Sequence, residues 1–226
     1  MSTVLISPRR AAAVVAAAGV IAVAAFGLSA SVSTAGAAVA GSSTETVKAA
    51  SFQAAMRALW QAHGTYTERA IVDFVGGLPD TKLVVGRLLR NQVDIGNAVK
   101  PYYGAKGGAA LTKLLKAHIN DAVAVLAAAK AGNASKVAKA KARFYANGNQ
   151  IASFLHTANP KYWPLGAMRK MMRIHLNQVI GLAVDQLKGH YAAAIRLYDV
   201  YINHILVGMA DMLSSGIIQQ FPARFS

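Results

Sequence analysis

The feature that most constrains this chain is how rarely its sequence interrupts a helix. Beyond residue 42 the strong breaks are Gly76-Gly77-Leu78-Pro79-Asp80, Pro101, Ala131-Gly132-Asn133, Asn159-Pro160 and Gly189. The intervals between them run to roughly 20 residues or more, too long for ordinary strands and suited to helices. Alanine dominates the hydrophobic fraction of 54%, leucine follows, and β-branched runs are few. That is a helix-forming composition with enough apolar residues for a sizeable core.

Six helices follow from this punctuation. The first is predicted to begin at Ser42, whose spacing to Glu45 matches a capping box, and to stop at Gly76-Gly77. Asp80 then reads as the N-cap of a second helix ending near Pro101. The third spans Ala105 to Lys130, the fourth Ser135 to Thr157, the fifth Pro164 to Gly189 and the sixth His190 to Ser215. Short connections between long helices make neighbours antiparallel.

The six fall into three related pairs. Leu59-Trp60-Gln61-Ala62-His63, Leu114-Leu115-Lys116-Ala117-His118 and Met171-Met172-Arg173-Ile174-His175 each set a histidine after two large apolar residues, at intervals of 55 and 57 residues. Arg87-Leu88-Leu89, Arg143-Phe144-Tyr145 and Arg196-Leu197-Tyr198 keep the same register later in each pair. A duplicated helix hairpin accounts for both signals. The expected fold is therefore an all-α, six-helix antiparallel bundle of three pseudo-repeats, about 45–104, 105–160 and 161–216. Its arrangement is either ferritin-like or a short superhelix.

Residues 1–40 read as an export signal, leaving 41–226 as one helical domain. Arg9-Arg10 precede an apolar stretch from Ala11 to Leu28, and small residues at Ala35-Gly36-Ala37 and Ala38-Val39-Ala40 offer cleavage sites. An uncleaved membrane anchor is the alternative, because the stretch approaches a spanning length. Either way the expected location is secreted or cell-envelope. There is no cysteine, which removes disulfides, thiolate catalysis and thiolate metal ligation.

The formal charge of +15 falls to +13 when the signal leaves with two arginines and no acid. Nine basic residues lie between Lys100 and Arg143 (Lys100, Lys106, Lys113, Lys116, Lys130, Lys136, Lys139, Lys141, Arg143), against the single acid Asp121. Such a segment suits an anionic envelope polymer or membrane surface, with nucleic acid less accessible to an exported protein. A solvated helix face is the plain alternative.

The histidines carry the sharper chemical signal. His63 falls on the stripe Phe52, Met56, Leu59, Tyr66, Ala70, Phe74; His118 on Leu111, Leu115, Ala122, Val125; His175 on Met168, Met172, Val179, Leu182. Three imidazoles are thus predicted to point inward, with His204 a fourth candidate on the face of Leu197, Tyr201 and Asp211. Neutral imidazole is a common metal ligand, and bundle helices can converge on one ion. Asp94 and Asp121 are the oxygen candidates, and Met171, Met172, Met209 and Met212 sit close to the histidines in sequence. A divalent ion or copper would suit this donor set. Satisfied core histidines copied by the repeat would give the same pattern. His156 and His190, near helix ends, are expected at the surface.

Residue types exclude several classes. The only glutamates are Glu45 and Glu68, too few for a carboxylate-bridged di-iron bundle. The glycines of Gly104 to Thr112 lack the order of a phosphate-binding loop, and no G-x-S-x-G motif occurs. Haem ligation by two histidines, or by histidine and methionine, is singled out by no motif. Asn133-Ala134-Ser135 matches a glycosylation acceptor. With no nucleophile or acid–base pair in view, binding is favoured over catalysis.

Several strings together, Leu59-Trp60 with His63, Gly77-Leu78-Pro79-Asp80, Asn91-Gln92-Val93-Asp94-Ile95-Gly96, Tyr103-Gly104, Tyr145-Ala146-Asn147 and Met209-Ala210-Asp211-Met212-Leu213 running to Gln220-Phe221-Pro222, resemble a family of exported bacterial helical proteins with no established activity. The resemblance spans most of the mature chain and implies export and a helical fold. Where relatives carry acidic residues after the Tyr-Ala-Asn string, this chain has Gly148-Asn149-Gln150. An acidic ligand held there by the family would be missing here.

Overall fold

The computed structural model describes residues 36–226, with side chains from residue 47 onward. These residues are all-α, without a strand among them. The predicted signal lies outside the described residues except for 36–40, which open the first helix.

Helix α1, Gly36–Gly76, begins before the Ser42 start expected from the capping box. Ala37 to Ala40 propagate a helix readily, so nothing in the sequence forces a stop ahead of Ser42. Its C-terminus closes at Gly77, whose φ of 68° is left-handed, with the Leu78 amide donating to the Asp73 carbonyl at 2.9 Å. Lys130 donates to the Phe74 and Val75 carbonyls at 2.7 and 3.1 Å, capping the same end from another helix. Asp80 is not a side-chain cap. Its carboxylate instead accepts from Arg69 at 2.8 Å, which also binds the buried Asp73 at 2.6 Å.

Helix α2, Thr81–Lys130, passes through Pro101 and is interrupted at Gly104, with φ 72° and ψ 172°. That conformation is essentially confined to glycine. The two arms on either side lie against each other: a Cβ on Gly96 would stand 2.7 Å from the Gly108 carbonyl oxygen and clash with Thr112. The break expected near Pro101 is therefore three residues later. Proline alone costs one amide donor, whereas Gly104 supplies the dihedral that the break uses.

Asn133 caps α3, Ala134–Ala158, by accepting from the Lys136 amide at 2.9 Å. Helix α4 is Leu165–Leu187, with Pro164 at its N-cap. The last helical segment is less regular than its sequence suggests. Helix α5, Tyr191–Val200, passes into a π-helical turn, Tyr201–Leu206, and continues as α6, Val207–Gln220. Facing the π turn is Gly64 of α1, where a Cβ would approach Ile202 Cδ1 to 2.6 Å. The missing side chain lets α1 and this wider turn meet.

The core contains Met56, Trp60, Phe144, Trp163, Met168, Leu176, Tyr201, Leu206, Met209 and Ile217. The chain end folds back on it, with Phe225 stacked on Tyr102 at 5.6 Å between centroids. Among the described residues no helix is long and apolar enough to cross a membrane.

Candidate functional site

His63 of α1, His118 on the second arm of α2 and His175 of α4 are 2%, 3% and 2% exposed. Each lies on the stripe that its periodicity assigns, and Met168, Met172, Val179 and Leu182 around His175 are all buried. The ring of His175 stands 5.7 Å from that of His63 and 5.5 Å from that of His118, between centroids. Aromatic side chains extend the cluster. Phe144 stacks on His118 at 4.7 Å and Tyr201 on His175 at 5.6 Å, while Trp60 meets His63 edge-on at 5.6 Å.

Amides hold two of the rings. Asn147 uses its Nδ2 to donate to the Leu114 carbonyl at 3.1 Å, so its Oδ1, 3.0 Å from His118 Nδ1, accepts. The His118 proton is thereby placed on Nδ1, leaving the Nε2 lone pair free. Gln92 works the other way: its Nε2 lies 2.8 Å from the Leu88 carbonyl and 3.2 Å from His63 Nδ1, which makes Nδ1 of His63 an acceptor. His175 Nδ1, Gln92 Oε1, Trp60 Nε1 and the Tyr201 hydroxyl are buried without a hydrogen-bond partner. Buried orphan atoms are uncommon in native cores, and four around one cluster set it apart from ordinary packing.

Burial drives the electrostatics. Desolvation, with the nearby His118 adding to it, lowers His63 to about 3, and desolvation lowers His118 to about 4. His175 falls well below the usual imidazole value, first by burial and then through its two histidine neighbours. Burial likewise raises the Tyr201 hydroxyl far above the ordinary phenol value. All three imidazoles are consequently neutral at pH 7, the form that binds metals.

Two small cavities flank the cluster, and all three histidines line both. One of about 30 Å³ lies on the side of Met56, Trp60, Met172 and Met209; the other, of about 50 Å³, lies towards Thr67, Ile71 and Phe74. Their size would admit a single ion and is far too small for a haem. Among the described residues no group of three or more His, Asp or Glu side chains stands in metal-holding geometry.

The remaining sequence candidates lie elsewhere. Asp94 faces Arg90 at 3.5 Å and Arg87 at 3.7 Å, and Asp121 faces Arg143 at 3.5 Å. His204 is exposed although Tyr201, three residues earlier, is fully buried. In the wider π turn, residues three apart no longer share a face as they do in an α-helix. His190 is exposed as expected, whereas His156 is half-buried, its Nδ1 2.9 Å from the Trp163 carbonyl.

Gln92, Asn147 and Tyr201 are not among the site residues that the sequence points to. A signal for the amides was present: Gln92 and Asn147 each stand 29 residues after the histidine that they touch. No protein-family model, curated protein or solved structure matches this chain.

Proposed function

We propose that this chain is an exported helical binding protein that holds one metal ion among His63, His118 and His175. The observation that carries this reading is the meeting of three neutral imidazoles, each from a different helical segment, inside a sealed apolar core. Three histidines bound to one ion through nitrogens about 2 Å from it would have ring centroids about 5 to 5.6 Å apart. About His175 the spacing to His118, 5.5 Å, falls within that range and the spacing to His63, 5.7 Å, just beyond it.

Ring rotation into the flanking cavities would bring the nitrogens onto a common point. His118 already offers Nε2, and His175 Nδ1 is buried without a hydrogen-bond partner. The same register of histidine and amide in the first two units supports a duplicated hairpin, the element of the proposed six-helix arrangement in three pairs. Asp94, Asp121 and His204 have no part in this centre. The family resemblance and the signal segment support export.

Binding to the folded state alone raises stability by mass action, by about 2.7 kcal/mol at a hundredfold excess over Kd. Thermal unfolding of metal-stripped protein with and without added ions tests the reading. A rise in Tm confined to protein with intact histidines supports it; unchanged Tm with every ion opposes it.

A second reading has its own observation. Lys136, Lys139 and Arg143 edge an open groove floored by Ala124, Ala127, Ala128 and Ala131. That surface suits an anionic envelope polymer or lipid headgroups, and the two functions are compatible.

A further inference from the structure

The walls of the two cavities distinguish between ions. Neither wall carries an Asp, Glu, Lys or Arg side chain, and Thr67 is the only oxygen-bearing side chain in either. The thioethers of Met56, Met171, Met172 and Met209 line the smaller cavity together with the three imidazoles. Asp94 and Asp121, the acids best placed in sequence to neutralise an ion, face arginines instead.

Charge then decides. Solvation energy grows with the square of the charge, so an uncompensated divalent ion is penalised about four times as heavily as a monovalent one in the same apolar site. Calcium and magnesium need several oxygen ligands, which are missing from these walls. Zinc takes imidazole readily, but its sites commonly include thiolate, carboxylate or hydroxide ligands that lessen the net charge. A soft monovalent d10 ion needs few ligands and favours sulfur.

Resting on the reading that the three histidines hold an ion, we infer that the ion is copper(I), with the Met172 thioether as an additional ligand. Met172 precedes His175 by three residues on α4, so both lie on the same helix face, and it is 4% exposed. The core excludes water and supplies no anionic ligand, conditions that favour the cuprous state over the cupric one.

The test is an anaerobic titration of the full chain, stripped of metal, with copper(I) buffered by a chromophoric chelator. Silver(I), zinc(II) and cobalt(II) are titrated in parallel. One equivalent of copper(I) or silver(I) should bind, with zinc and cobalt at least about a hundredfold weaker, and Met172→Leu should weaken copper(I) about tenfold. X-ray absorption of the copper-loaded wild-type chain needs no variant and should show nitrogen neighbours and one sulfur. Histidine-dependent binding of zinc or cobalt tighter than copper(I) overturns the valence inference while leaving the histidine site standing. A nitrogen-only shell overturns the assignment of Met172, and a chain that binds none of the four ions overturns the site itself.

Discussion

His118 and His175, 57 residues apart in sequence, stack in the core with ring centroids 5.5 Å apart and planes 26° apart. Both are buried and neither has a carboxylate beside it. Each would have to shed its solvation to carry a charge here, and that requirement governs how the protein responds to acid.

Stability is predicted to fall as pH drops below about 6.5. The folded-state values of His63 and His118, about 3 and about 4, and of His175, well lowered, all lie under the unfolded value near 6.5. Between these limits the unfolded chain binds more protons, so stability is fully present above pH 6.5 and is lost as pH falls towards the folded values. Each histidine contributes up to about 1.4 kcal/mol per pH unit, or about 4 kcal/mol for the three together. Urea unfolding at pH 7.5, 6.0 and 5.0 reads the slope. A midpoint independent of pH across that range would show that the histidines do not stay buried and neutral.

Asn147→Ala should destabilise the fold by about 1 to 3 kcal/mol, because it strands the buried His118 Nδ1 proton and removes a second hydrogen bond to the Leu114 carbonyl. Asn147→Asp keeps the acceptor for His118 and loses the donor to Leu114. It should also raise the His118 pKa, observable as a titrating imidazole resonance by NMR. A neutral effect of the alanine variant would mean that water replaces the amide.

Glycine substitutions should separate by what they meet. At Gly96 a Cβ would press on the Gly108 backbone, so Gly96→Ala should cost about 1 to 3 kcal/mol. At Gly86, in the same helix, a Cβ meets nothing within 4 Å, and Gly86→Ala should stabilise by about 0.5 to 1 kcal/mol. Chemical denaturation of the pair checks the approach of the two arms of α2. Equal effects would contradict it.

The helical class and the inward face of three histidines were legible from periodicity and sparse breakers, since a 3.6-residue stripe places side chains wherever the helix stays regular. Legibility ended where the backbone departs from that period. His204 shares an α-helical face with Tyr201 on paper, but the π turn at Tyr201–Leu206 turns it outward. The helix start was obscured because a cap signal at Ser42 cannot stop alanines from extending the helix to Gly36. Asp94 and Asp121 lie one turn or one helix from the histidines in sequence, yet nearby arginines draw them away from the core. Amide partners such as Gln92 and Asn147 are polar residues on a buried face, and only the repeat register marks them out.

Replacing Lys136, Lys139 and Lys141 together with glutamine should weaken retention on an anionic matrix and lower the salt dependence by about two to three in the log–log slope. Lys136 and Lys139 are exposed on the groove edge and Lys141 is half-buried beside it. Unchanged elution would show that this groove does not carry the binding to such a matrix.

Elemental analysis of the chain from residue 41 onward, purified without a histidine tag and exposed in turn to copper, zinc, iron and manganese, tests the central claim most directly. The control is the His63→Ala, His118→Ala, His175→Ala variant, with its helicity checked by circular dichroism. One metal equivalent in the wild type, absent from a helical triple variant, is the predicted result. Wild-type protein that stays metal-free with every ion would contradict the account and leave the three imidazoles as packing in an acid-sensitive core.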